Sequence, residues 1–273
     1  MGIAVKDVAF RFVPETPVLR DISFEINEGV LGILGHSGSG KSTLLRVIAG
    51  LLRPDAGDVE VDGRPVWKAN VTQRRMIQRR IGVVFQHGAL FDFLTVGGNL
   101  IFALRALRIP RDEWEDCVKS AVEAVGLDKD PGLLDRWTTE VSGGQLRRVG
   151  LARVLVTKPD MILFDEPTTG LDPRRKRDVV DIVKASLVKS NLSIIVSHDI
   201  RFVRQVCTSA ILLEDGQITA RVGKDGIDRL FYRPFSADGD DNLQKLHDFI
   251  EGNPHAPSGN PYNGIPSSGG SPA

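Results

Sequence analysis

Gly35-His36-Ser37-Gly38-Ser39-Gly40-Lys41-Ser42 is the stretch on which the reading of this chain turns. It follows the apolar run VLGIL at 30–34 and opens 42–52, where Leu44, Leu45, Val47, Ile48 and Leu51 recur at helical spacing before Pro54 and Gly57. A strand entering a Gly-rich loop that opens a helix is the setting in which G-x-x-x-x-G-K-S binds phosphate. Glycines at 35, 38 and 40 let successive N–H groups curl inward around phosphate oxygens, and the positive end of the helix adds to the attraction. The pattern aims Lys41 at the β and γ phosphates and offers the Ser42 hydroxyl to Mg²⁺, with Thr43 next on the first helical turn. A merely flexible Gly/Ser loop would not account for Lys-Ser at a helix start.

A second stretch, Met161-Ile162-Leu163-Phe164-Asp165-Glu166, delivers two adjacent carboxylates at the end of an apolar strand. Open α/β sheets bind their ligands at that end. Buried charge is costly unless it is paired or at work. Asp165 is placed to hold Mg²⁺ through water, and Glu166 to polarise an attacking water. A strand-end Asp-Glu alone is ordinary turn chemistry; the phosphate loop upstream makes that reading the weaker one.

Outward from these two stretches the chain reads as α/β. Apolar β-rich runs at 81–85, 193–197 and 210–213 are buried strands separated by helical patterns, as a mainly parallel sheet requires. The first thirty residues alternate as strands around a turn at 14–17, giving an N-terminal antiparallel β subdomain. Between 93 and 139 only helical patterns occur, 96–107 and 111–125 interrupted at Pro110, which predicts an inserted helical subdomain. The ATPase core is then 1–92 with 140–222. Residues 223–251 form a docking extension whose Leu243, Leu246, Phe249 and Ile250 make a short amphipathic helix. The segment 252–273, rich in Pro, Gly, Ser and Asn, is expected to be a disordered tail.

Val141-Ser142-Gly143-Gly144-Gln145 resembles the signature motif of ABC-family ATPases, which separates them from kinases, GTPases and other phosphate-loop enzymes. Ser142 and the two glycines can present a hydroxyl and N–H groups at a helix start, a second anion site. The resemblance covers the chain to about residue 213, and it implies ATP as the nucleotide and a head-to-tail homodimer. In that dimer Ser142, Gly143, Gly144 and Gln145 of one copy cover the γ-phosphate held by the other's loop. It also implies that Gln86 touches Mg²⁺ and the water, that Asp172 in Gly170-Leu171-Asp172 couples the two sites, and that His198 contacts the γ-phosphate. Phe12 matches the family's adenine-stacking aromatic, with Phe10 the competing choice. Within the loop His36 stands at a position the family varies, so its side chain is expected at the surface.

Phe85-Gln86-His87-Gly88-Ala89-Leu90-Phe91-Asp92 with Leu94-Thr95-Val96, and the tail 246–252, resemble the ATPases of Mla and Mce lipid-transport systems. That implies a motor for phospholipid transport with a multi-spanning permease and an Mce-type periplasmic lipid-binding protein, on the cytoplasmic side of the inner membrane. The apolar residues of 90–94 either receive a permease helix or form plain subdomain core. The alternative is the ATPase of an amino-acid or other small-solute importer, and a more remote one is a soluble ABC ATPase acting on nucleic acid or ribosomes.

The whole-chain properties bound these readings. At 273 residues the chain has room for one ATPase unit, and 35 basic against 35 acidic residues leave no net field toward nucleic acid. The basic run Arg74, Arg75, Arg79 and Arg80 is accordingly a solvated helix face. Cys117 and Cys207 lack metal or redox spacing and read as buried reduced thiols. No leader, lipid anchor or membrane span is expected, so any membrane contact must come through a partner.

Overall fold

The computed structural model describes residues 2–85, 88–171, 173–187, 192–230, 237 and 239–252. In chain order the elements are β1 (Ile3–Val13), β2 (Thr16–Ile26), β3 (Gly29–Leu34), α1 (Lys41–Ile48), β4 (Ala56–Val61), β5 (Arg64–Pro65), α2 (Val71–Gln78) and β6 (Ile81–Val84). They continue with α3 (Val96–Ala106), α4 (Trp114–Ala124), α5 (Gly143–Leu155), β7 (Met161–Asp165), α6 (Pro173–Leu187) and β8 (Leu192–Val196). The last are α7 (Ile200–Val206), β9 (Ser209–Glu214), β10 (Gln217–Gly223), α8 (Lys224–Arg229) and α9 (Asp241–Glu251).

Two sheets organise the chain. The larger has the order β10-β9-β3-β8-β7-β6, in which all neighbours pair parallel except β10, which is antiparallel to β9. The smaller is antiparallel, with the order β2-β1-β4-β5. Strands β7 and β8 are buried along their whole length, the mark of a sheet covered on both faces. Period-2 alternation then divides β7 between two cores. Met161 and Leu163 face α1 and the antiparallel sheet, whereas Ile162 and Phe164 join the core that also contains α3, α4, α5 and α9.

The expected α/β class, antiparallel N-terminal sheet and mainly parallel sheet are all present. Boundaries shift by a few residues: α1 stops at Ile48, because Gly50 takes φ 73° and turns the chain before Leu51 can extend the helix. Helices α3 and α4 and short 3₁₀ turns fill the stretch between β6 and α5. Asn99, fully buried in α3, holds this stretch to the residues before it: its side chain accepts from the N–H of Phe91 and donates to the carbonyls of Phe91 and Thr95.

Arg80 departs from the picture of a solvated basic face. It bridges Asp62 at 2.8 Å and Asp160 at 2.6 Å, tying the antiparallel sheet to the entrance of β7, while Arg74 lies over the Trp67 ring. Both cysteines are buried and free. Among the described residues no helix is long and apolar enough to cross a membrane. The tail beyond Gly252 lies outside the described residues.

Candidate active site

The parallel strands end on one edge, and the loops that follow β3, β7 and β8 converge there on a cavity of about 870 Å³. Gly35, His36, Ser37, Gly38, Gly40, Lys41, Ser42 and Thr43 line one side, and Glu166, Thr169 and His198 another. Phe12, 63% exposed, stands at the mouth, while Phe10 is buried behind it at a ring distance of 4.8 Å. Only Phe12 of this pair is available to stack on a base.

The loop is shaped for an anion. At Gly38, φ is 86° and a Cβ would meet nothing within 4 Å, so the backbone faces open cavity where an oxyanion can approach. Gly40, at φ 100°, caps α1, and a Cβ there would strike the Val18 carbonyl at 2.8 Å. Ser39 Oγ is buried without a hydrogen-bond partner among the described residues, on the inner side of the loop and not in the cavity wall. Lys41, only 6% exposed, donates to the carbonyls of Gly35 at 2.8 Å and His36 at 2.7 Å, and its Nζ stands 4.0 Å from Glu166. Burial pushes the Lys41 pKa down, against the opposing fields of Glu166 and Asp165.

Opposite the loop, Ser42 Oγ donates to Asp165 Oδ1 at 2.7 Å, so the hydroxyl and the buried strand-end carboxylate meet across 123 residues of sequence. Glu166 is held more tightly still. Its φ of 49° is left-handed, a conformation costing a non-glycine residue roughly 1–2 kcal/mol. The surroundings impose it: Glu166 N–H donates to Val196 of β8, and Thr169 N–H donates to the Glu166 carbonyl. The carboxylate accepts from Thr169 Oγ1 at 2.9 Å and pairs with His198 Nδ1 at 2.9 Å. A carboxylate aimed into the cavity, with an imidazole on one oxygen, is a proton acceptor in position.

Below His198, Asp199 caps α7 and accepts from Lys176 at 2.5 Å. Burial raises its pKa, but the bonds from Lys176 and the Phe202 N–H outweigh this and leave it below the ordinary carboxylate value. A depressed folded-state pKa contributes stability above the unfolded value, lost as pH falls through the folded one. Asp199→Asn keeps the cap, since Asn caps as well as Asp. It is expected to cost about 1 kcal/mol at neutral pH, and the gap to wild type should close below about pH 4, read from urea melts at several pH values.

The signature residues lie elsewhere. Ser142 caps α5 in a reciprocal box with Gln145, and Gly143 and Gly144 are exposed; none of the four lines this cavity. Gln145 donates to Asp130, which also holds Arg136, and Arg147 of α5 donates to the carbonyls of Pro167 and Thr169 in the loop after Glu166. Burial lowers the Arg147 pKa. Gln86 and Asp172 lie outside the described residues. Thr169, Val18, Ile200, Phe249 and Ile250 complete the wall without having been anticipated. Thr169 carries no motif signal, and Phe249 and Ile250 read only as the apolar stripe of a helix.

Fold and cavity define a phosphate-loop nucleotide-binding protein. A family model described as ABC transporter matches residues 19–169, more than half of the chain, and the chain belongs to that family. The methionine import ATP-binding protein MetN of Ralstonia nicotianae is 38% identical over 202 residues, covering 73% of this chain and 57% of that protein. MetN 1 of Paraburkholderia xenovorans is 38% identical over 221 residues, covering 79% of this chain and 63% of it. The chain therefore spans less than two thirds of the length of these relatives. Among solved structures, cbiO1 of Clostridium perfringens, part of the ABC transporter complex cbiONQ, superposes with a TM-score of 0.75 at 27% identity, covering 91% of this chain and 98% of that one. A dimeric ATP-binding cassette bound to ADP and Pi gives 0.71 at 26% identity, with 81% and 98% covered.

These relatives overturn the expectation of phospholipid transport and of an Mce-type partner. Relatives 33–39% identical to this chain are named for methionine import, and the small-solute alternative is the one they favour. The two segments behind the lipid reading have local structural work instead. Phe91 packs on Phe102 at 4.6 Å and under Arg153, and the helix carrying 246–251 docks on its own chain through Leu243 and Leu246.

Proposed function

We propose that this chain is the ATP-hydrolysing motor of an ABC importer for a small solute, an amino acid of the methionine kind first among the candidates. The observation that carries the reading is a Glu166–His198 pair opposite Lys41 in one cavity, in a chain 38% identical to a methionine import ATP-binding protein. Water attacks the γ-phosphorus and passes its proton to Glu166, ADP leaves, and Pi is released. Thr169 and His198 fix the carboxylate, and Lys41 with the loop N–H groups binds the phosphates.

Mg²⁺ suits the donors on hand: Ser42 Oγ and the Asp165 carboxylate are hard oxygens, and this ion characteristically takes one or two carboxylates plus substrate phosphates. When bound it would neutralise phosphate charge. Two copies would pair head to tail, since Ser142, Gly143, Gly144 and Gln145 are presented away from their own cavity and suit the γ-phosphate of another copy. In this division 1–92 with 140–222 form the ATPase core, 93–139 the lever toward a membrane permease, and 223–251 an extension docked on the core. The working position is peripheral, on the cytoplasmic face of the membrane.

The test is to extract the tagged full chain from membranes with ATP and Mg²⁺ in mild detergent and identify what copurifies. A permease with a solute-binding protein, and methionine uptake lost on deletion of the chain, are expected. A permease with an Mce-type protein, or ribosomes without a permease, would overturn the reading.

A further inference from the structure

The helix α9 reaches the nucleotide cavity, although nothing in the ABC motifs concerns it. Asp240 caps its start, accepting from the N–H groups of Asn242 and Leu243, and Asn242 Oδ1 accepts from the Arg221 N–H of β10. Leu243 and Leu246, both fully buried, anchor the first two turns in the core. The next positions on that stripe, Phe249 and Ile250, pack against the edge of the same core and also line the cavity beside the phosphate loop. The Phe249 ring meets the His36 ring at 4.7 Å, tilted by 58°.

His36 is the loop residue whose position matters through its backbone. Its carbonyl accepts from Lys41 Nζ at 2.7 Å and from the Ser39 N–H at 3.2 Å, so it orients both the phosphate-seeking cation and the residue whose hydroxyl is orphaned. An exposed loop residue carrying those two bonds gains from a fixed side chain, and Phe249 is what fixes it.

We propose that Phe249 is a positioning residue for the phosphate loop: through His36 it braces the loop in its phosphate-binding form, so nucleotide affinity depends on the seating of α9. This rests on the ATPase reading above. It gives the Phe249 ring a task beside its packing on the core: contact with the His36 ring at the cavity wall.

The experiment titrates a fluorescent ATP analogue against the full chain and measures the KM and kcat of ATP hydrolysis. Phe249→Ala is expected to weaken nucleotide binding about three- to tenfold, the scale of an aromatic pair, raising KM with kcat within about twofold. His36→Ala should weaken binding comparably, and the double variant no further, because the ring acts through His36. Phe249→Tyr should restore affinity. Phe249→Leu, which keeps apolar bulk and the helix seat, should match wild type in thermal stability but not in affinity. Unchanged affinity in a folded Phe249→Ala or Phe249→Leu chain, or additive losses in the double variant, would overturn the brace while leaving the ATPase reading intact. A wild-type chain that binds no nucleotide would overturn both.

Discussion

Lys41→Ala is expected to weaken ATP binding and to lower hydrolysis by about 100- to 1,000-fold, the scale seen in turnover when one donor to a developing oxyanion is removed. The ammonium is buried, and its two hydrogen bonds go to carbonyls of the loop that would cradle the phosphates. Removing it deletes the positive charge and leaves the fields of Asp165 and Glu166 facing an incoming polyanion. Folding should not suffer in proportion, since burial already penalises the charged form of Lys41 in the nucleotide-free chain. The signature is therefore a large loss in turnover and weaker binding in a nucleotide titration, with little change in melting temperature. Lys41→Arg should fail as well, because a planar fork cannot replace a compact ammonium under the Gly35 and His36 carbonyls. Hydrolysis by Lys41→Ala within twofold of wild type would remove the phosphate loop from the mechanism.

Much of the site was legible because its chemistry is local. The run 35–42 specifies its own strand, loop and helix start, and 161–166 carries its burial and its carboxylates in six consecutive residues. What could not be read depends on distant partners. β4 begins AGD, which looks like a turn. It is a strand because Asp58 is buried, accepting from the N–H groups of Val59, Trp67 and Lys68, and because β1 pairs along it. Similarly, α6 opens on Pro173-Arg174-Arg175-Lys176-Arg177, and its apolar stripe at Val179, Val180 and Val183 is too short to announce itself. Arg80 read as one of a basic run, and nothing near it in sequence signals Asp160.

The substrate lesson is different in kind. Residues 85–92 and 94–96 looked specific through their resemblance to lipid-transport ATPases, yet in this chain Phe91 packs locally between Phe102 and Arg153. The phosphate loop and the strand-end carboxylates report chemistry common to many proteins of this fold, and a shared fold does not by itself name a substrate.

Glu166→Gln is expected to cut hydrolysis by about 100- to 10,000-fold while leaving ATP binding within a few fold, the range associated with loss of a positioned general base. Gln matches Glu in size and its amide oxygen can still accept from Thr169 Oγ1, so the left-handed turn and the wall of the cavity should persist. What it cannot do is take the proton of water. With hydrolysis stopped and binding intact, ATP should hold two copies together, and light scattering on the purified variant should show an ATP-dependent doubling of mass. His198→Ala removes the imidazole from Glu166 Oε2 and should lower turnover with a weaker effect on binding. If Glu166 and His198 work as one unit, the double variant should be no slower than Glu166→Gln alone, whereas independent roles would multiply the losses. Undiminished hydrolysis in Glu166→Gln would move the base elsewhere in the cavity, and turnover lost together with nucleotide binding would make Glu166 a structural member of the turn after β7 and not the acceptor of the proton.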